Sequence, residues 1–419
     1  MNIFEVINHT IKCTCGAEHR CDIEELHIGK GVLDKLPVIT GKYNSIMLIS
    51  DANTDALCGD RVRQMLGSKI TACHVLADKL PVPDKATVNA AEASIPEETD
   101  FVMGIGSGVI NDICKYISFR HGIPCGIIAT ATSMDGYASS GAAMIFDGMK
   151  VTFTTHAPSM ILGDTDILKD APMDMIRSGY ADIIGKYSSM NDWKLAAVIK
   201  NEHFCPFIYK IVKDSTDEVR DLAPSLVKRD PEAIGRLMEI LVLVGVCLTL
   251  LGSTRPGSGS EHHLSHYFEI TGLIENKPYF FHGTDVGYST IVTAALREKI
   301  LKVKNPVFRT IADDLRKEEY KRIYRGRWKE VWDIQEQAGS YQKDLSDIYI
   351  AKWDEVCTIL AECPTADEIT DMLTAVGFEI EEFEKMYEIR KITDGISWGK
   401  DLKDRYSVLW LYSVLDFKE

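Results

Sequence analysis

Between about residues 26 and 135 the chain alternates short, unbroken apolar runs with amphipathic stretches. The runs are Ile46-Met-Leu-Ile-Ser-Asp51, Ala72-Cys-His-Val-Leu-Ala77, Phe101-Val-Met-Gly104 and Gly126-Ile-Ile-Ala-Thr130. Continuous runs of this kind read as strands buried on both faces, the pattern of a parallel sheet covered by helices. The stretches between them predict helices over residues 54–66 and 83–94. Residues 143–165 predict a β-ribbon that leads into one more short strand, Met160–Asp164.

After about Pro172 the strand signals fade and helical periodicity runs to the C-terminus. The pattern therefore predicts an α/β domain over residues 1–172 and an all-helical domain over residues 173–419. The longest apolar run, residues 240–251, is too short to span a bilayer and reads as a buried helix. The tail beyond Lys302 is charged, with Trp332, Trp353, Trp398 and Trp410 interleaved, and these aromatics read as helix packing.

One strand carries chemistry at its end. Phe101-Val-Met-Gly104-Ile105-Gly106-Ser107-Gly108 runs strand into glycine turn, and Val109 to Lys115 reads as the helix that follows. Glycines in such a turn let backbone N–H groups approach a pyrophosphate, and the helix N-terminus adds partial positive charge. The spacing departs from GxGxxG and lacks the Lys-Ser/Thr of a triphosphate loop, so the turn reads as a dinucleotide site in a Rossmann-like domain. Asp51 closes the strand that begins at Ile46. Its carboxylate can hold a ribose through the hydroxyls and repel a 2′-phosphate, which leans toward NAD, or it can simply cap the next helix. The hydroxyl-rich stretch Thr130-Ala131-Thr132-Ser133-Met134-Asp135, continuing to Ser139, follows another strand. It suits contacts to cofactor phosphate or ribose, with Asp135 open to a polyol; an Asx/ST turn is the plainer reading.

The helical half holds the other chemistry. Arg255-Pro-Gly-Ser-Gly-Ser-Glu-His-His-Leu-Ser-His266 contains an acid and three histidines, and Phe281-His282-Gly283 follows a second apolar segment. His262 and His266 are four apart and share a helix face. His262, His266 and His282 could build a metal site if a carboxylate or sulfur joins them. Asp182 lies among small and apolar residues on a predicted helix, where a carboxylate is costly unless it is paired or binds a cation. Asp182 with two histidines leaves coordination positions open to substrate, as a catalytic metal requires.

Composition narrows the classes. The 419 residues are 45% hydrophobic and 26% charged, with a net charge of −15, which argues against a nucleic-acid binder but not against a locally positive pocket for a small anion. No apolar leader opens the sequence, and with 11 cysteines this sets the expectation of a cytoplasmic chain without a membrane span. Cys13, Cys15, His19 and Cys21 place three thiols and an imidazole within nine residues. They could hold a structural zinc, but the spacing matches no paired CxxC pattern, so half-buried cysteines in a hairpin are the preferred reading.

Taken in order, Gly104–Asp112, Thr130–Asp135, Asp182–Lys186, Ser258–His266 and His282-Gly283 resemble the sn-glycerol-1-phosphate dehydrogenases, over roughly residues 20 to 300. That family lies within the glycerol dehydrogenase, iron-type alcohol dehydrogenase and dehydroquinate synthase superfamily, and the cysteine-bearing N-terminus and long tail look more like its bacterial branch. The resemblance implies that Gly104, Gly106, Ser107 and Gly108 line the pyrophosphate and that Thr130, Ser133 and Ser139 complete the NAD site; Ile105, Asp112, Ala131 and Thr132 belong to the same expected cofactor surface. Asp182, His262 and His282 would bind one divalent metal, zinc or nickel, with iron also suited to the donors. Asp135, Asp182 and His266 would face the substrate, and His266 and Asp182 would be catalytic. His263 would point elsewhere. The implied reaction is hydride transfer between NAD(H), with NADP(H) also open, and C2 of a phosphorylated triose, interconverting dihydroxyacetone phosphate and sn-glycerol 1-phosphate. Lys186 and Arg255 are the expected phosphate contacts, and a homo-oligomer, dimer or larger, is expected. Glycerol dehydrogenase, acting on the free polyol, and a noncatalytic nucleotide- or metal-binding protein on the same fold are the rivals. Dehydroquinate synthases carry Glu where this chain has Asp182.

Overall fold

The computed structural model describes every residue except Met1, Lys79, Asp147, Lys418 and Glu419. The strands are β1 (Ile11–Lys12), β2 (Glu18–His19), β3 (Glu25–Gly29), β4 (Ile46–Asp51), β5 (Ile70–Leu76), β6 (Phe101–Gly106), β7 (Cys125–Ala129), β8 (Gly141–Phe146), β9 (Met149–Thr154) and β10 (Met160–Asp164). Six helices frame the sheet and the candidate site: α1 (Gly108–His121), α2 (Met173–Ile184), α3 (Lys186–Lys200), α4 (Pro231–Leu251), α5 (Ser260–Glu275) and α6 (His282–Leu301).

The chain folds as two compact units, Met1–Tyr180 with Asp221–Ser253 and Ala181–Arg220 with Thr254–Glu419. The expected division at residue 172 is therefore corrected. The first unit runs eight residues further and takes back the segment that contains α4. The reason is the sheet. Every residue of β4, β6, β7 and β10 is buried, so both faces need an apolar cover. α4, apolar on nearly all sides, provides one. A Cβ on Gly163 of β10 would lie 3.1 Å from Met238 of α4. α4 is also the one helix among the described residues long and apolar enough to cross a membrane, and 78% of its apolar window is buried in the protein, so it reads as a core helix.

The first unit is built on a six-stranded parallel sheet in the order β3-β10-β7-β6-β4-β5. From β4 the chain steps to one side to form β5, then returns to the other side for β6 and β7. This reversal makes a switch point between β4 and β6, where open α/β sheets bind ligands beyond the strands' carboxyl ends. Asp51 and the glycine turn stand there. β8 and β9 form a separate antiparallel ribbon that packs on α1 through Tyr116 with Phe146 and Phe153, ring centroids 5.7 and 5.1 Å apart. The predicted helix over residues 54–66 is helical but carries a π-turn at Asp55–Gly59 before Asp60–Leu66. The helix predicted over residues 83–94 is Lys85–Glu92, capped by Asp84, which accepts from the Thr87 amide at 2.8 Å.

The second unit is helical. α3 and α6 bury Leu195, Ala196 and Ile300 against Trp353, Val356, Val408, Trp410 and Leu411 of the C-terminal helices. Trp353, Trp398 and Trp410 are each 8% exposed, which agrees with their reading as packing residues.

Candidate active site

The glycine turn joins β6 to α1. Ser107 is the N-cap residue, and the Asn111 amide donates to its carbonyl at 2.9 Å; the amides before Asn111 have no intrahelical acceptor. The glycines differ in what requires them. A Cβ on Gly106 would meet Ile110 Cγ1 at 2.5 Å, and one on Gly104 would meet Ile127 Cδ1 at 2.8 Å and Cys114 Sγ at 2.9 Å. Those two allow α1 to pack closely on the sheet. At Gly108 a Cβ would make ordinary contact with Met134, at 3.4 Å and beyond. The Ile105 carbonyl accepts from Thr54 Oγ1 at 2.7 Å. Asp51 is the N-cap of residues 52–54 in a capping box, its Oδ1 accepting from the Asn53 and Thr54 amides at 2.9 and 3.0 Å.

The stretch after β7 is held by its backbone. The Thr130 amide donates to the Gly106 carbonyl at 3.0 Å, Tyr137 Oη donates to Ala131 at 2.7 Å and Ser178 Oγ to Ser133 at 3.1 Å. Thr132 and Asp135 are buried. Beneath lies Lys115, fully buried, whose ammonium donates to the Gly136 carbonyl at 3.1 Å, to Ser139 Oγ at 3.3 Å and to the Gly141 carbonyl. Asp112 neutralises it at 2.8 Å and accepts from the Ala143 amide at 3.0 Å. Asp112 and Ser139 were expected against the cofactor. Both are instead committed to a buried cation that ties the loop to α1, because a buried ammonium needs a counter-charge and acceptors.

The second unit gathers Asp182, near the end of α2, His262 of α5 and His282, the first residue of α6. One donor atom from each lies within 4.8 Å of the others. His262 Nε2 is 3.6 Å from Asp182 Oδ1. Two such donors on a tetrahedral zinc stand roughly 3.3–3.5 Å apart, given metal–donor bonds of about 2.0–2.2 Å, so the donors fit a divalent cation. Three features hold them. Glu261 accepts the Nδ1–H of His262 at 2.7 Å, which turns Nε2 toward Asp182. Ser265 Oγ lies 3.4 Å from His282 Nδ1 and 3.3 Å from its carbonyl. Asp192 of α3 accepts from the Ser260 amide at 2.6 Å, from Val408 at 2.8 Å and from Arg297 at 2.8 Å, fixing the N-terminus of α5. Gly259 makes that approach possible, since a Cβ there would stand 2.7 Å from both Asp192 Oδ2 and Ser189 Cα. Glu261 and Ser265 were not singled out in the sequence; an acid directly before a ligand-type histidine was the available signal.

His266 lies one turn beyond His262, its ring 5.4 Å from that of His282 and 6.0 Å from that of His262. It is outside the three-donor group. His263 is fully buried. Burial first, then the positive charges of Lys403, Arg405 and Arg255, push its pKa well down, so it is a neutral packing residue.

The two expected phosphate contacts are corrected. The Lys186 ammonium is fully buried, 2.7 Å from Asp182 Oδ1 and 3.0 Å from the Gly257 carbonyl. Arg255 is 1% exposed and grips Glu202 through two hydrogen bonds of 2.7 and 2.6 Å, with a third to the Tyr406 carbonyl at 2.8 Å. Each cation is taken up by a carboxylate of the protein, Asp182 for Lys186 and the part-exposed Glu202 for Arg255.

Residues 27–172 match the family model described as iron-containing alcohol dehydrogenase. The chain is 32% identical over 319 residues to the glycerol-1-phosphate dehydrogenase [NAD(P)+] of Halalkalibacterium halodurans, covering 72% of this chain and 80% of that one. It is 26% identical to the enzyme of the same name from Geobacillus stearothermophilus, covering 99% and 98%. Among solved structures, an archaeal halo-thermophilic alcohol dehydrogenase from a Red Sea brine pool aligns over 94% of this chain and 97% of its own, with a TM-score of 0.61 and 15% identity; that likeness speaks for the fold. By the sequence match, the chain belongs to the glycerol-1-phosphate dehydrogenase family of NAD(P)-dependent oxidoreductases.

Proposed function

We propose that the chain interconverts dihydroxyacetone phosphate and glycerol 1-phosphate with NAD(H), and that Asp182, His262 and His282 hold a divalent cation. The observation that carries the reading is the convergence of those three donors in a chain 32% identical to a relative of that name. Ser107, Gly108, Thr130, Thr132 and Ser133, with the backbone of Gly104, Ile105, Gly106 and Ala131, form the cofactor surface at the switch point. The buried Asp51 carboxylate beside it favours NAD over NADP by repelling a 2′-phosphate. Eleven cysteines with no disulfide among them suit a reducing cytoplasm.

The bound cation supplies positive charge that polarises the substrate carbonyl, and the nicotinamide supplies the hydride. The protein's own part is positioning and proton transfer. Glu261 fixes the His262 tautomer, so that Nε2 keeps its lone pair. Lys186 donates to Asp182 Oδ1 at 2.7 Å and fixes the orientation of that carboxylate. His266, beside the donors but not among them, delivers a proton from a ring nitrogen to the carbinol oxygen. Asp135 accepts from a substrate hydroxyl.

One alternative has a specific observation behind it. With Lys186 and Arg255 both paired internally, neither expected cation is left to receive a phosphate, which favours a free polyol as substrate. NADH oxidation with dihydroxyacetone phosphate and with dihydroxyacetone, each with added zinc, nickel or iron, decides the matter. The proposal expects a strong preference for the phosphorylated ketone; preference for the free ketone overturns it.

A further inference from the structure

We infer that Cys13, Cys15 and His19 form a second metal site, a structural zinc site in the first unit that is independent of the Asp182 group. β1 and β2 are only two residues each, paired Ile11 with His19 and Lys12 with Glu18. A ladder this short does not hold itself. Its turn is closed by the Cys13 amide to the Ala17 carbonyl and the Gly16 amide to the Cys13 carbonyl, both at 3.1 Å, with Gly16 at φ +89°. The turn brings one donor atom from each of Cys13, Cys15 and His19 within 4.8 Å of the others.

His19 is the informative member. It is 1% exposed, and its Nδ1 lies 2.8 Å from the carbonyl of Leu250. That carbonyl belongs to the last turn of α4, where no intrahelical donor remains for it. Nδ1 must therefore carry the proton, and Nε2 keeps its lone pair. A backbone carbonyl behind a histidine in this way is the usual support for a metal ligand. Nε2 faces Cys15 Sγ at 3.4 Å. A nitrogen and a sulfur on one tetrahedral zinc stand roughly 3.5 Å apart, from bonds of about 2.05 and 2.3 Å. Cys21 is not in the group. The sequence cluster of four thus resolves into three donors, with one coordination position left to a further donor. The metal would clamp the hairpin to the end of α4.

Cobalt(II) added to the purified full-length chain tests this. A thiolate site gives a sulfur-to-cobalt charge-transfer band in the near ultraviolet, and the Asp182–His262–His282 group contains no sulfur and cannot. The band should appear in the wild type, persist in Asp182→Ala and vanish in the Cys13→Ser, Cys15→Ser double variant. Its absence from the wild type, or its survival in the double variant, overturns the proposal. Should the double variant not fold, thiol titration of the wild type serves: zinc should shield two thiols, or three if a cysteine completes the shell, and a chelator should expose them again. Equal thiol reactivity with and without zinc overturns the proposal, and indicates that Cys15 and His19 share only a hydrogen bond.

Discussion

Glu261 and His262 are sequence neighbours at the start of α5, and the carboxylate of the first accepts the Nδ1–H of the second at 2.7 Å inside the protein. This pair sets both the tautomer and the aim of a proposed metal ligand. Such partners behind ligands commonly account for 10–100-fold in metal affinity. Glu261→Gln should therefore weaken zinc or nickel binding by about 10-fold or more, while secondary structure is retained, measured by competition with a chromophoric chelator. Unchanged affinity in a folded variant would remove Glu261 from the site.

Lys186 and Asp182 are four residues apart and both fully buried. Removing the ammonium leaves an uncompensated buried carboxylate, a loss of about 3–5 kcal/mol. Lys186→Met should thus unfold at markedly lower denaturant in the presence of chelator and recover stability when zinc is added, because the cation replaces the missing charge. The KM for dihydroxyacetone phosphate of the zinc-loaded variant should stay within a few-fold of the wild type. A steep rise in that KM with stability intact would restore Lys186 as a phosphate contact.

Gly106 and Gly108 should fail in different ways. A Cβ on Gly106 would overlap Ile110, so Gly106→Ala should cost about 1–3 kcal/mol of stability, part of it regained with Ile110→Ala. Gly108→Ala has room and should leave stability nearly unchanged while raising the KM for NADH. Thermal melts and cofactor kinetics on the two variants separate these roles.

Asp55 accepts from Arg63 at 2.7 and 3.1 Å and from Ser50 at 3.1 Å. The Arg63 guanidinium holds its carboxyl below the ordinary range. The folded state then keeps the carboxylate ionised where the unfolded chain takes up a proton. Its contribution is present above the ordinary Asp pKa of about 3.9 and is lost as pH falls through the lower folded value. The stability gap between wild type and Asp55→Asn should be open near neutral pH and close as the solution is acidified below the ordinary carboxylate range. A gap that stays constant with pH would show that Arg63 does not govern this carboxyl.

The sequence made some features plain and hid others for physical reasons. β4 and β10 appear with their observed bounds because strands buried on both faces are unbroken apolar runs. β3 was missed: it is an edge strand with one fully buried residue and polar Glu25 and His27. α4 was legible as buried, but nothing local says which unit it covers. Asp182, His262 and His282 stood out because a carboxylate among apolar residues and histidines at helix spacing each need an explanation, and the fold brings them together. The partner of Lys186 was readable from its spacing to Asp182. The partner of Arg255 was not, since Glu202 lies 53 residues away.

Hydride transfer is proposed to depend on a cation held by Asp182, His262 and His282. The most direct measurement is restoration of NADH oxidation, with dihydroxyacetone phosphate, on titrating zinc or nickel into chelator-stripped wild type and His282→Ala, with NADH binding followed by fluorescence in both. Recovery is expected near one cation per chain at this site in the wild type and none in His282→Ala, with similar NADH binding in the two. Full activity of stripped wild type, or equal recovery by His282→Ala, would contradict it.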